Sequence, residues 1–261
     1  MTPHDPIFSV EGQVVVLTGA CGLVGRTLAK AFHERSAKLV LVDLRESGPE
    51  QLARDLGGDT IGVVCDVSLA SEVADLVTAA YDRFGRVDVL VNGHQHKPEG
   101  FLEAQAESFP EELWDAIIDA NLKGTFLSCR AFGQRMLEDG RGSIINLAST
   151  YGLVSSNPSL YEDNSMGNPV AYSASKGGVI MLSKYLGVHW AARGVRVNCI
   201  SPHGIWNHHE EGFESRFSAM SPMGRMMRVE EIVGATLFLA SDASTYITAS
   251  NLLADGGWSA W

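Results

Sequence analysis

Short β-branched runs alternate with longer amphipathic stretches along this chain. Gln13–Thr18, Lys38–Val42, Thr60–Val64, Val87–Val91, Ser143–Leu147, Val195–Ile200 and Asn251–Ala254 are rich in Val, Ile and Leu and read as strands. Between them, apolar residues recur at helical spacing over Leu23–Arg35, near Pro49–Leu56 and over Leu69–Phe84. The same spacing runs from Pro110 through Trp114, Ile117 and Ile118 towards Met136, then over Val170–Arg193 and Glu230–Leu239. Near-continuous apolar strands separated by helices are those of a parallel sheet covered on both faces. No linker, internal repeat or low-complexity segment divides the sequence. The pattern predicts an α/β fold, one doubly wound domain spanning residues 1–261 around a mostly parallel seven-stranded sheet.

Composition narrows the partners. Of 261 residues, 45% are hydrophobic, 20% are charged and 27 are glycine, which fits a well-buried core with many tight turns. The formal net charge of −11 argues against a nucleic-acid backbone or an anionic membrane as partner, since both attract basic surfaces. No apolar run reaches the roughly 18–20 residues of a membrane span, and Met-Thr-Pro-His-Asp-Pro lacks the basic and apolar regions of a signal peptide. Cys21, Cys65, Cys129 and Cys199 are far apart with no Cys-x-x-Cys pair, so structural thiols in a reducing cytoplasm are expected.

The first strand runs into Thr18-Gly-Ala-Cys-Gly-Leu-Val-Gly25 and then a helix. Glycines in that context allow a tight turn and close approach of backbone to a pyrophosphate, with the phosphate at the helix N-terminus. Asp43 ends the second strand, where a carboxylate accepts from both adenine-ribose hydroxyls and repels a 2′-phosphate. NAD (as NAD or NADH) is therefore expected over NADP, an exclusion that Arg45 weakens slightly. Asp66 and Val67 follow the third strand and could meet the adenine edge, although Asp66 could equally cap the next helix through Ser68. Cys21 sits near a helix N-terminus, which lowers a thiol pKa, so a redox role competes with that of a small filler.

Tyr172 and Lys176, in Tyr-Ser-Ala-Ser-Lys, lie four apart and so one helical turn apart on one face. A phenol is a poor base at neutral pH, but a neighbouring ammonium favours the phenolate. Such a pair suits proton exchange in a carbonyl/alcohol interconversion.

The glycine turn, Asp43, Ser149 just past a strand, and Tyr172 with Lys176 stand in an order that resembles the short-chain dehydrogenase/reductase family over essentially the whole chain. Asn121 in Asn-Leu-Lys-Gly, Asn146-Leu-Ala-Ser149, Arg196-Val-Asn-Cys-Ile-Ser-Pro202 and Asp255-Gly-Gly-Trp258 support it. The resemblance implies a Rossmann-type domain, with residues 12–100 mainly binding cofactor and residues 143–228 carrying the catalytic and substrate loops. It implies a catalytic tetrad of Asn121, Ser149, Tyr172 and Lys176. Ser149 would hydrogen-bond the substrate oxygen, Tyr172 would exchange its proton, and Lys176 would bind the nicotinamide ribose and lower the phenol pKa. Asn121 would hold a helix distortion. The cofactor would lie on Gly19, Cys21, Gly22, Leu23, Val24, Gly25, Asp43, Asp66, Val67, Asn92, Gly93, Pro202, Gly204 and Ile205, besides Tyr172 and Lys176. A homo-oligomer, tetramer or dimer, is implied as well.

Several positions depart from the family pattern. The glycine turn has the T-G-x-x-G-x-x-G spacing usual in longer, sugar-nucleotide-acting members. Asn92-Gly-His-Gln95 replaces Asn-Asn-Ala-Gly, and His203 separates Pro202 from Gly204. Twenty-three positions separate Ser149 from Tyr172 (172 − 149), and the polar loop Ser155–Asn168 between them should sit over the site. Tyr161-Glu162, Ser165-Met166, Asn168-Pro169 and the terminal Gly-Gly-Trp-Ser-Ala-Trp resemble a subgroup of surface-sugar, legionaminic-acid-type enzymes.

His94, His96 and Lys97 follow the fourth strand, and His203, Trp206, His208 and His209 follow the sixth, at the carboxyl ends where open α/β sheets bind ligands. Substrate contacts are expected from His94, Thr150, Tyr151, Tyr161, His203 and Trp206, with Phe213–Met227 as a lid or an ordinary core helix. No metal is expected, because adjacent histidines do not easily share one ion and no H-x-x-x-H pattern accompanies them. The expected activity is NAD(H)-dependent interconversion of a secondary alcohol and a carbonyl on a sugar or other polyhydroxylated small molecule. Reduction of acyl-carrier-bound or small hydrophobic ketones is the alternative, disfavoured by the acidic charge and Asp43. A non-catalytic nucleotide sensor is the second.

Overall fold

In a computed structural model describing residues 6–102, 105–161 and 170–261, all seven strands pair in parallel in the order β3-β2-β1-β4-β5-β6-β7. They are β1 (Val14–Thr18), β2 (Lys38–Asp43), β3 (Thr60–Val64), β4 (Val89–Asn92), β5 (Gly142–Leu147), β6 (Val195–Pro202) and β7 (Asn251–Ala254). Side chains alternate between the two faces along each strand. Val15 and Leu17 of β1 join Leu39, Leu41, Val89, Val91 and Ile145 in one core. Val14 and Val16 join Val40, Val42, Leu90, Ile144, Val195 and Val197 in the other. Because both sides of these strands are buried, their sequences are apolar without a break.

Helices α1 (Leu23–His33), α2 (Pro49–Leu56), α3 (Ala70–Phe84), α4 (Glu111–Ile118), α5 (Gly124–Asp139), α6 (Val170–Trp190), α7 (Glu211–Met220) and α8 (Ile232–Ala240) cover the sheet. Leu28 and Phe32 of α1 pack with Ile232 and Leu239 of α8 on the first face. Val73 and Leu76 of α3, Leu127, Phe132 and Met136 of α5 and Leu186 of α6 fill the second.

Two elements differ from the sequence pattern. The stretch from Pro110 to Met136 is not one helix: a five-residue π-helical turn, Asp119–Lys123, separates α4 from α5. The helix expected over Phe213–Met227 stops at Met220, where Ser221 turns extended, and Gly224 follows in the left-handed region at φ +68°. The Ser155–Asn168 loop is described as far as Tyr161, with a short 3-10 turn at Pro158–Tyr161. Glu162, Ser165-Met166 and Asn168-Pro169, singled out above, lie outside the described residues.

The strand order reverses between β1 and β4, which both leave the centre of the sheet. A crevice opens outside the carboxyl ends of the strands at such a reversal. Gly19, Asp43, Gly93, Leu147 and Pro202, all at or just past strand ends, line one cleft of about 1030 Å³.

Candidate active site

One side of the cleft is built from the turn after β1. Gly19 has φ +69°, and a Cβ there would lie 2.7 Å from the His94 backbone. A Cβ on Gly25 would lie 2.0 Å from the Gly19 carbonyl, so the first turn of α1 can sit this close to the strand only with glycine. Gly22 would meet the chain only at an ordinary 3.5 Å, and its bare Cα leaves the cleft floor open, as a pyrophosphate lying on the turn requires. The Asp43 carboxylate accepts from the amides of Cys21 (2.8 Å) and Leu44 (2.9 Å), which hold it at the cleft wall. Arg45 is exposed and does not line the cleft. Leu23, Val24, Asp66, Val67, Gly204 and Ile205 line it as expected. Asp66 also accepts from the amide and hydroxyl of Ser68 at 2.9 and 2.7 Å, so it makes the capping contact weighed above. These residues fit a dinucleotide: a glycine turn open at Gly22 and a carboxylate fixed by two amides at the end of the neighbouring strand.

The opposite side carries the hydroxyls. Ser149 leaves β5 in extended conformation and accepts from the Tyr151 amide at 3.2 Å, which fixes its side chain. Tyr172, in the first turn of α6, hydrogen-bonds the Ser149 side chain. One turn on, Lys176 is 3% exposed, its ammonium lies 5.7 Å from the Tyr172 ring centroid, and it donates to the Leu147 carbonyl at 2.8 Å. Burial raises the phenol pKa, the Ser149 hydrogen bond opposes that rise, and the nearby Tyr161 adds to it. Burial, then the Lys97 cation, pushes Lys176 down to about 8. Without the dinucleotide the net shift of the phenol is upward, with burial the largest cause.

Asn121 sits in the π turn, 1% exposed. Its Oδ1 accepts from the His96 amide (2.8 Å) and its Nδ2 donates to Ser175 (3.3 Å), tying the loop after β4 to the helix of Tyr172 and Lys176. The wider turn lets this amide point inward rather than continue the helix face.

Other expected contacts fall elsewhere. Asn92 does not line the cleft; it is buried, and its Nδ2 donates to Asn146 Oδ1 at 2.8 Å, joining β4 to β5. Thr150 is wholly buried behind the cleft wall. Trp206 is 40% exposed outside the cleft and donates to Glu214 at 3.0 Å. His94 lines the cleft, but its nitrogens meet the hydroxyls of Thr18 (2.6 Å) and Thr125 (3.3 Å), so its ring braces the base of the site instead of reaching for substrate. Burial pushes its pKa down to about 3, which keeps it neutral. Cys21 lines the cleft with its thiol pKa raised by burial and by Asp43, the reverse of a helix-activated thiol; it is a filler. Among the described residues no group of His, Cys, Asp and Glu could hold a metal.

Tyr151, Tyr161 and His203 do reach the cleft. The His203 ring is packed by Tyr151 (4.9 Å between centroids), Phe217 (5.0 Å) and Trp258 (4.4 Å), and burial lowers its pKa to about 4. Sequence reasoning missed Phe101, whose ring stands edge-on to Tyr172 at 6.2 Å. A lone aromatic after Gly100 carries no signal of that contact.

The site has the hydroxyl pair and buried lysine of an alcohol/carbonyl oxidoreductase beside a dinucleotide floor. A family described as enoyl-(acyl carrier protein) reductase matches residues 19–259. D-threitol dehydrogenase of Mycolicibacterium smegmatis is 39% identical over 260 residues, covering 96% of this chain and 94% of that protein. The chain is a short-chain dehydrogenase/reductase. This short-chain dehydrogenase/reductase is also 31% identical to an NAD-dependent glycerol dehydrogenase of Listeria innocua, over 97% of this chain and 96% of that one. A crystal structure of a gluconate 5-dehydrogenase from Burkholderia cenocepacia, in complex with NADP and tartrate, superposes with a TM-score of 0.88 at 28% identity, covering 98% of each chain. The enzyme is thus an oxidoreductase of the CH–OH/C=O type that binds a nicotinamide dinucleotide.

Proposed function

We propose that this enzyme interconverts a secondary alcohol and a ketone on a small polyol or sugar-derived molecule, with NAD as the preferred dinucleotide. The hydrogen-bonded Ser149–Tyr172 pair above the buried ammonium of Lys176 carries the reading. When bound, the dinucleotide supplies the hydride acceptor or donor. Ser149 holds the substrate oxygen, Tyr172 Oη takes or returns that oxygen's proton, and Lys176 stabilises the phenolate once it forms. Asp43 supports NAD over NADP through charge, since a 2′-phosphate would meet a carboxylate already fixed by two amides. The relatives named above act on threitol, glycerol and gluconate, which favours a polyhydroxylated substrate over the surface sugars of the resembled subgroup. The net charge of −11 disfavours an acidic acyl carrier as partner. An oligomer built from copies of this chain and a cytoplasmic location belong to the same proposal. No helix among the described residues is long and apolar enough to cross a membrane.

The test follows NADH formation over a panel of C3–C6 polyols and aldonates with wild type and Tyr172→Phe. Turnover of at least one class should fall by about 10²–10⁴-fold in the variant, the range of a lost proton-transfer group, while NADH binding persists. Turnover near wild type in Tyr172→Phe would end the mechanism; inactivity on the whole panel would end the substrate class.

A further inference from the structure

The hydroxyls of Tyr151 and Tyr161 lie 3.3 Å apart, both in the cleft that holds Ser149 and Tyr172. Resting on the functional reading above, we propose that this phenol pair reads the hydroxyl next to the one that reacts, so that the recognised unit is a vicinal diol.

The placement is fixed from both sides. Tyr151 is two residues after Ser149, and its own amide donates to the Ser149 hydroxyl, so the two side chains share one turn. Its ring is held edge-on by His203 at 4.9 Å. Tyr161 comes from the inserted loop, and its neighbour Leu160 is fully buried against Phe213 and Phe217 of α7. Arg216 Nε donates to the Leu160 carbonyl at 3.1 Å, and Tyr161 itself packs on Phe213 at 5.8 Å. Both phenols are close enough to Tyr172 for charges to be felt: Tyr161 raises the Tyr172 pKa and Tyr172 raises that of Tyr151. Three phenols and one serine therefore converge on a single part of the cleft.

Hydrogen-bond counting supplies the ligand. A phenol offers one donor and accepts through its oxygen. In a bonded pair one hydroxyl donates to the other, whose own proton is left to donate outward. With the reacting oxygen held by Ser149 and Tyr172, the oxygen on the adjacent carbon is the substrate group this pair, in the same cleft, is placed to bind. A mono-alcohol would bring a carbon there and leave a half-buried donor unpaired, the kind of loss that discriminates strongly between analogues with and without a hydroxyl.

The experiment compares kcat/KM for butane-2,3-diol and butan-2-ol with NAD, and for the reverse substrates 3-hydroxybutan-2-one and butan-2-one with NADH. Wild type, Tyr161→Phe and Tyr151→Phe are measured, with NADH binding as the check that each variant is folded. Wild type should prefer the hydroxylated member by about 10–100-fold, the order expected for one unpaired buried donor. That ratio should collapse towards one in Tyr161→Phe or Tyr151→Phe. A wild-type ratio near one, or a ratio that survives both substitutions, overturns the role of the pair while leaving the alcohol dehydrogenase reading intact. No turnover of these compounds or of the polyol panel overturns that reading and the pair's role with it.

Discussion

The ammonium of Lys176 donates to the carbonyl of Leu147 across 2.8 Å, so the catalytic helix is fastened to the last residue of β5 by the same group that supports the phenol. Since Lys176 is held near 8 by burial and, second, by Lys97, it loses its charge only a little above neutral pH. Removing the Lys97 cation must raise the Lys176 pKa. In Lys97→Met the lysine limb of the kcat/KM pH profile should therefore move to higher pH. A limb that stays in place or moves down would show that Lys97 exerts no such field.

Asp43 accepts two amides and faces the cleft, so its charge and its shape can be separated. Asp43→Asn keeps one acceptor and removes the charge that repels a 2′-phosphate. The ratio of kcat/KM for NAD over NADP should fall by about tenfold or more, since roughly 1.4 kcal/mol of repulsion is already a factor of ten. An unchanged ratio would assign the preference to something other than this carboxylate.

Acid stability follows from two imidazoles, the buried His203 and the half-buried His94. His94 and His203 are held at about 3 and about 4, below the ordinary histidine value of 6.5. Between those values and 6.5 the unfolded chain binds protons that the folded chain refuses, so stability rises with pH there and is lost on acidification. Each histidine contributes a slope of about 1.4 kcal/mol per pH unit at most. Urea midpoints should decline steeply from pH 6.5 to 4.5, and His203→Asn should flatten the decline. Equal slopes in the two proteins would count against the burial account.

Asp88 is 6% exposed, accepts from the Val14 amide at 2.9 Å, and pairs with Arg86 (3.0 Å) and with Arg141. It thus closes the entry of β1 and satisfies a buried backbone donor. Asp88→Ala should cost about 2–4 kcal/mol, because one buried N–H loses its partner and two arginines lose theirs. Chemical denaturation measures this; a loss under about 0.5 kcal/mol would mean that water replaces the carboxylate.

Much of this architecture was legible from residue patterns. Strands buried on both faces must be apolar throughout, so Val14–Thr18 and Lys38–Asp43 announced themselves. Short-range chemistry was legible too: Tyr172 and Lys176 share a helical face, and glycines at positions 19 and 25 have no steric substitute. What sequence did not show depends on where side chains turn. His94 stands where a ligand contact was expected, yet its neighbours Thr18 and Thr125 come from 76 and 31 positions away, and they claim its nitrogens. Trp206 faced outward for an equally non-local reason, its bond to Glu214 of α7. The upward pull of burial on the Tyr172 phenol is equally invisible in sequence, because a four-residue spacing reports proximity and is silent about desolvation.

The inserted segment and α7 share an aromatic core through Leu160, Phe213 and Phe217, with Arg216 latched to the Leu160 carbonyl. Neither can swing out alone without tearing that core open. The position of Tyr161 in the cleft is therefore set by α7 as much as by its own loop. A helix remote in sequence thus shapes the substrate end of the site through packing, and Arg216, which does not itself line the cleft, has a share in where that phenol stands.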